Sequence, residues 1–456
     1  MTALGSKQAY PPPAQAWRAA IILSVLYTIS NVDRQVIGLL LQPIKDDLQV
    51  GDTEMGLLGG FAFAIFYTVM GLPIARLADK TSRRAVIFVG VVFWSVATVF
   101  CGLARNFTQL FIGRIGVGVG EAALSPASYS LLSDYFPPSK LGRAMSVYVL
   151  GAATGFGLAY FAGGALYGYF AGLGSFHIPV VGEIKPWQAT FIAVGAPGIA
   201  LAFLMTLIKE PERRSSCIAD VGAHTPTPTQ GGALLPFLKG NWKILAMHFA
   251  GISGFNIAAY GFNLWLPAHF IREFGWSPAQ VGVTFGGYFL ILGVASILIA
   301  GRLADQVKVG EGRVVSYFRL MALWTLISVP CLASVALVPT AALAMVVLAP
   351  CLFLAAGPTV FAPAVLQLIA PNTVRAQVSA LYLFVVNIMG IGLGPLLIGL
   401  ITDFGFGDPA MLKWSISIVC GGGAALAFIF LFAGVRLARR SFQIEDEAGF
   451  EGAVAS

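Results

Sequence analysis

The feature that most constrains this chain is a succession of twelve apolar segments, each long enough to cross the roughly 30 Å hydrocarbon core of a bilayer. They fall near residues 17–44, 54–78, 84–104, 107–132, 141–171, 187–208, 242–270, 278–302, 313–337, 340–369, 375–402 and 411–438. Backbone N–H and C=O groups inside lipid must pair within the segment, so each run is predicted to be a helix. Only 11% of residues are charged and 57% are hydrophobic. A soluble domain carries about 25% charged residues. The predicted class is therefore an all-α membrane protein with twelve transmembrane helices. The first run is too long for a signal-peptide core and is not followed by a small-residue cleavage site, so it is expected to stay as a helix.

The net charge of +7 does not mark a nucleic-acid surface, because the basic residues are scattered through the short gaps between apolar runs. With the N-terminus placed in the cytoplasm, 21 of the 28 Lys and Arg residues fall on the inner side. That bias predicts a multi-pass protein of the inner (plasma) membrane with both termini cytoplasmic. Residues 1–16, with Pro11-Pro12-Pro13, and residues 439–456 read as cytoplasmic tails. The longest polar gap, 209–241, contains Glu210-Pro211-Glu212-Arg213-Arg214 and Thr225-Pro226-Thr227-Pro228-Thr229, a composition too polar to build its own core. It reads as a linker between six-helix bundles at 17–208 and 242–438. Cys101, Cys217, Cys331, Cys351 and Cys420 are far apart in sequence and match neither a disulfide framework nor a metal-ligand spacing. No cofactor is expected.

Internal repetition supports two halves. Ala75-Arg76-Leu77-Ala78-Asp79, after the second span, returns as Gly301-Arg302-Leu303-Ala304-Asp305 after the eighth. Pro126 and Arg143-Ala144 are echoed by Pro363 and Arg375-Ala376. Parallel repeats of six helices are the architecture of major facilitator transporters. Arg76-Leu77-Ala78-Asp79-Lys80-Thr81-Ser82-Arg83-Arg84 resembles that superfamily's signature loop, with Ala75 and Ser82 where the signature has glycine. Within the superfamily, Asp33-Arg34, Pro43-Ile44-Lys45-Asp46-Asp47-Leu48, Asp52, Gly56-Leu57-Leu58 and the stretch from Arg114 to Glu121 resemble the spinster family of sphingolipid and lysolipid transporters.

Four formal charges lie well inside spans: Asp33 and Arg34 in the first, Arg114 and Glu121 in the fourth. A charged side chain at mid-bilayer costs about 2.5–3.5 kcal/mol on insertion scales, so such residues mark a pathway or a neutralised structural pair. The superfamily resemblance implies that these two helices meet on the cavity of the N-terminal half. Arg114 and Glu121 stand seven residues apart, about 10 Å along one face, which favours pairing across helices. Asp33 or Glu121 is the expected proton acceptor, with Arg34 and Arg114 as partners. Moving an arginine relative to a buried carboxylate switches its proton affinity, and a guanidinium can instead hold an anionic head group bidentately.

The glycine run Gly113, Gly116, Gly118 and Gly120 lies inside an apolar span with no preceding strand and no lysine-serine ending. It therefore reads as close helix approach, not as a nucleotide loop. Gly155, Gly157, Gly163 and Gly164 in the fifth span, and Gly390, Gly392, Gly394 and Pro395 in the eleventh, read alike. The superfamily resemblance implies that Asp79, with Arg83 and Arg84, and Asp305 latch the cytoplasmic side; a solvated turn acid is the alternative for Asp305. Asn256, Tyr260 and Asn263 recur at spacings of four and three and so share a face of the seventh span. They are expected either to line the cavity or to hydrogen-bond between helices, and Asn387 in the eleventh span carries the same alternatives. His248 and His269 sit near opposite ends of the seventh span, too far apart for a metal pair.

Polar groups in the first half are few: Ser30, Asn31, Tyr67, Ser125 and Tyr129. A sugar would need more donors and acceptors. An amphipathic molecule with a charged head and an apolar body suits such a site, in agreement with the lipid substrate that the spinster resemblance implies. A proton-driven drug or small organic-anion transporter is the alternative, followed by a non-transporting receptor. An enzyme is not expected, since no nucleophile elbow, His–Asp pattern or metal set is present. The expected partners are the substrate, protons and membrane lipids, and the expected state is a monomer.

Overall fold

The computed structural model describes residues 10–179, 182–213, 234–307, 312–354, 357–371 and 373–454. Helix dominates. In chain order the helices are α1 Pro13–Leu48, α2 Asp52–Lys80, α3 Arg83–Leu103, α4 Phe107–Glu121, α5 Leu124–Tyr135, α6 Pro138–Leu173, α7 Pro186–Leu207, α8 Leu234–Phe274, α9 Pro278–Leu303, α10 Arg313–Ala333, α11 Ala341–Leu354, α12 Gly357–Ile369, α13 Gln377–Phe406 and α14 Pro409–Arg439. Among the described residues, nine helices are long and apolar enough to span a membrane: α2, α3, α6, α7, α8, α9, α13, α14 and the helix that begins as α10.

The remaining apolar runs differ for local reasons. In α1, 36 residues long, Asn31, Asp33, Arg34 and Gln35 interrupt the apolar pattern. The run at 107–132 is broken into α4 and α5 because Pro126, without an N–H and with a ring that crowds the carbonyl four residues back, cannot continue a helix through Ala122. The break leaves Glu121 as the last residue of α4. In the run at 340–369 the described helices are α11 and α12.

Two departures from the sequence reading lie outside the spans. A two-stranded antiparallel hairpin, β1 Phe176–Ile178 and β2 Gly182–Ile184, occupies the gap before α7. Its strands are only three residues long, too short for periodicity to reveal. Helix α8 begins at Leu234, inside the segment read as linker, because the run Leu234-Leu235-Pro236-Phe237-Leu238 already carries helix-compatible apolar residues. At the other end, helical conformation continues past α14 to Val454.

The chain divides into two compact units. The first is built on Met1–Val36 and Ile65–Pro226, the second on Ile37–Ala64 and Thr227–Ser456, so residues 37–64 join the C-terminal half. In the first unit α3 packs along both α4 and α7. Gly120 makes the α3–α4 contact possible: a Cβ there would stand 2.7 Å from both the Cβ and the N of Trp94. In the second unit α14 packs along α8 and α10, and Phe318, Met321, Phe361, Leu366 and Leu431 form part of a buried core. Wide π-helical turns interrupt several helices, at Leu57–Phe61 in α2, Phe289–Gly293 in α9, Ile388–Leu393 and Ile401–Phe406 in α13, and Ser417–Gly421 in α14.

Candidate functional site

The four membrane charges of the first unit come together between α1 and α4. Glu121 is buried, and its Oε2 accepts from Arg34 Nη2 at 2.5 Å, Arg34 Nε at 3.1 Å and Ser30 Oγ at 2.9 Å. Its other oxygen, Oε1, has no hydrogen-bond partner. Arg114, also buried, points at the backbone of α1 and donates to the carbonyls of Asp33 at 3.4 Å and Arg34 at 3.5 Å. Asp33 is 0% exposed, and among the described residues neither of its carboxylate oxygens has a hydrogen-bond partner. The site thus brings two acids and two bases together, with Arg34 and Glu121 as a closed carboxylate–guanidinium pair. Asn31 is buried and turned back along its helix, its Nδ2 donating to the Tyr27 carbonyl, where Gly155 of α6 leaves no room for a Cβ.

Tyrosines flank this cluster. The Arg34 guanidinium carbon lies 5.0 Å from the centroid of the Tyr67 ring. Tyr27 stacks on Tyr148 at 4.6 Å and 5°, and Tyr129 meets Tyr148 edge-on at 5.4 Å. Ser125 Oγ and Tyr148 Oη are hydrogen-bonded at 3.0 Å. Tyr129 is 43% exposed and the Arg34 side chain 14%, so Tyr129 and the guanidinium form the open flank of an otherwise buried cluster that includes Tyr148. Tyr27 and Tyr148 were not singled out from the sequence, although a tyrosine within an apolar span, carrying a hydroxyl that needs a partner, was signal enough.

Arg83 and Arg84 lie at the start of α3 and spend their donors within the first unit. Arg83 is 1% exposed; its Nη1 is hydrogen-bonded to Asp134 and Ser130, its Nη2 donates to the Pro211 carbonyl, and its Nε donates to Glu210 Oε1 at 2.9 Å. Ser82 Oγ and the Arg84 N–H donate to Glu210 Oε2 at 2.8 and 3.0 Å. Burial alone would raise the Glu210 carboxyl, but the donors from Arg83, Arg84 and Ser82 together hold it below the ordinary glutamate range. Arg213 adds a cap to α2, its Nη2 donating to the carbonyls of Ala78 and Thr81. Asp79 is exposed, and the side chain of Asp305 lies outside the described residues.

In the second unit Asn256 is buried and Tyr260 half-buried; both sit against Gly390 of α13, where an added Cβ would be 2.6 Å from Asn256 Cβ and 3.1 Å from Tyr260 Cδ2. Asn263 and Asn387 are half-buried. His248 is buried and stacks on Tyr382, while His269 packs edge-on to Phe270 and Phe274.

A second charged cluster, not identified as a site from the sequence, lies where α1 and α8 end and α2 begins. Asp52 is 0% exposed and accepts from Lys45 Nζ at 2.5 Å and from Arg272 Nη1 and Nη2, both at 2.7 Å. Arg272 Nε donates to Gln42 at 2.6 Å. Asp403 of α13 caps α2, accepting from the N–H groups of Asp52 at 3.2 Å and Thr53 at 2.6 Å. A carboxylate there meets both the unpaired amides and the positive end of the helix dipole. Asp52 and Arg272 are 220 positions apart, beyond the reach of any spacing rule.

Comparisons with known proteins agree with this architecture. A relative in Mycolicibacterium smegmatis, described as an MFS-type efflux pump, is 29% identical over 406 residues, covering 86% of this chain and 85% of the relative. Protein spinster homolog 1 of Xenopus tropicalis is 25% identical over 408 residues, covering 84% of this chain and 72% of that protein. The crystal structure of a bacterial homolog of the human lysosomal transporter Spinster, inward-facing and unoccupied, superposes with a TM-score of 0.75 at 24% identity, covering 95% of this chain and 98% of the other. The model of the Major Facilitator Superfamily matches residues 23–395, most of the chain. The protein therefore belongs to the Major Facilitator Superfamily: it is a membrane transporter with spinster-like relatives, not an enzyme.

Proposed function

We propose that the protein is a secondary active transporter of the inner membrane that moves an amphipathic, lipid-like anion, of sphingolipid or lysophospholipid type, by proton-coupled alternating access. One observation carries the reading: Arg34, at the open flank of a buried cluster, is held by the Glu121 oxygen that also accepts from Ser30, beside an Asp33 whose carboxylate oxygens have no hydrogen-bond partner among the described residues. In this reading Asp33, buried with neither oxygen hydrogen-bonded, is the group that takes up and gives up the proton, while Glu121 balances Arg34. An anionic head group that displaces Glu121 from Arg34 leaves that carboxylate uncompensated and ready to take up a proton. Substrate and the Glu121 carboxylate thereby compete for one guanidinium, and substrate binding favours protonation of Glu121. Tyr27, Tyr67 and Tyr129 supply ring surface for the apolar body, with the buried Tyr148 backing Tyr27 and Tyr129.

In this reading the chain crosses the membrane twelve times in two six-helix halves, 17–208 and 242–438; the nine long apolar helices, with α1, the α4–α5 pair and the α11–α12 pair as the other three crossings, support it. The bias of basic residues toward one side supports cytoplasmic termini. In this reading Asp79, Arg83, Arg84 and Asp305 belong to the inner latch and the monomer is the working unit. Asn256, Tyr260, Asn263 and Asn387 are the polar contribution of the second half.

The test is uptake of a labelled lysophospholipid or sphingoid phosphate into proteoliposomes, with and without an inward proton gradient, for wild type and Asp33→Asn. Gradient-driven flux that the variant lacks supports the reading. Absence of lipid flux under any gradient favours the second reading, a proton-driven drug or small organic-anion transporter. Similarity to the mycobacterial efflux pump supports that alternative.

A further inference from the structure

Asp33 has a neighbour with the complementary deficiency. Trp94 of α3 is 0% exposed, and its indole nitrogen is a buried donor without a hydrogen-bond partner. The indole lies beside the Asp33 carboxyl without closing a hydrogen bond to it. Unpaired buried polar groups are uncommon because each forfeits its hydration, and two of them side by side point to a bond that forms in another state.

Trp94 is also fixed in place. The α3–α4 approach at Gly120 leaves no space for a Cβ against the Trp94 backbone, and a Cβ at Gly90, one turn earlier on α3, would be 2.7 Å from Ala123 Cβ. The backbone that carries the indole is therefore packed against the end of α4 that carries Glu121. The other groups that act on Asp33 are Glu121 and Arg114 from α4 and Cys101 from α3, with Arg34 next to it on α1. Arg114 is turned to the α1 backbone and Arg34 to Glu121. An indole only donates, so it cannot relay a proton; it strengthens its bond when the acceptor becomes charged.

We propose that Trp94 is the positioning residue for the proton site: when Asp33 gives up its proton, the carboxylate takes the Trp94 N–H as donor, and this contact sets the pH at which Asp33 titrates. The inference rests on the proton-coupled reading above.

The experiment is a pH titration of the carboxyl C=O stretch by infrared difference spectroscopy on the purified full chain in liposomes. The Asp33 band is the one absent from Asp33→Asn. In Trp94→Phe, which keeps the ring and loses the donor, the midpoint of that band is expected to move up by about one pH unit, a tenfold gain in proton affinity. An unchanged or lowered midpoint overturns the proposal. If Trp94→Phe does not fold, wild type is read by ultraviolet resonance Raman: an indole N–H band that shifts on raising the pH, and does not shift in Asp33→Asn, supports the contact, and a band that stays put overturns it. If no carboxyl band titrates in wild type and disappears in Asp33→Asn, the proton-coupled reading itself fails, a result distinct from a titrating band indifferent to Trp94.

Discussion

Asp33 and Asp52 are both fully buried acids, nineteen positions apart on and just after α1, and they live in different units under different rules. Asp52 has its charge answered several times over, by Lys45 and a bidentate Arg272, while its own N–H is capped by Asp403. Asp33 has neither oxygen paired, although Arg34 and Arg114 are beside it. A satisfied buried network rigidifies; a half-satisfied one is an expense that persists only where the missing bond is made in another state. The Asp52 cluster is thus built to hold and the Asp33 cluster is built to change.

That contrast is sharpest in Asp33→Asn. The substitution is expected to reduce gradient-driven uptake to background while leaving the thermal midpoint in detergent within a few degrees of wild type, since the carboxyl makes no hydrogen bonds to lose. A large fall in thermal stability would break the comparison by showing that Asp33 is structural. Asp52→Ala is the opposite case. It strands Arg272 and Lys45 with a buried charge excess, and breaking such a pair costs about 3–5 kcal/mol, readable as a marked drop in a thermal-shift assay.

Asp403→Ala sharpens the second cluster by removing only the cap. Loss of an N-cap acceptor costs roughly 0.5–2 kcal/mol, so its thermal shift should fall clearly short of that of Asp52→Ala. The smallest expected effect is pH-linked and lies at Glu210. Its carboxyl is held below the ordinary range, so the stabilisation it contributes is present above the unfolded glutamate value, about 4.3, and is lost as pH falls through the lower folded value. In Glu210→Gln the acid limb of the stability profile, below about pH 5, should therefore be flatter than in wild type; an identical limb would show that Glu210 contributes nothing there.

The sequence made helix, membrane and superfamily readable because lipid leaves few structural choices and because Arg76–Arg84 carries its own signature. Charges at 33, 34, 114 and 121 stood out for the same reason: each is costly in an apolar run. Which of them pair was not readable, since Arg34 reaching Glu121 while Arg114 turns to backbone depends on helix rotation. Trp94 was hidden because a tryptophan in an apolar span looks like ordinary core. Arg83 looked like a loop residue, yet it is buried by Asp134 and Glu210, the second of which belongs to the stretch read as linker.

The π turns have a mechanical consequence. Leu57–Phe61 of α2 packs against Ile388–Leu393 of α13, with the Gly60 position almost touching the Ile391 carbonyl. Each π turn stores one residue more than an α turn, and that slack can be passed along its helix without abandoning the backbone hydrogen-bond ladder. Movement at this contact would then be metered in whole residues, each about 1.5 Å of advance and 100° of rotation, as in a ratchet with teeth, and not as the smooth flexing of a rod.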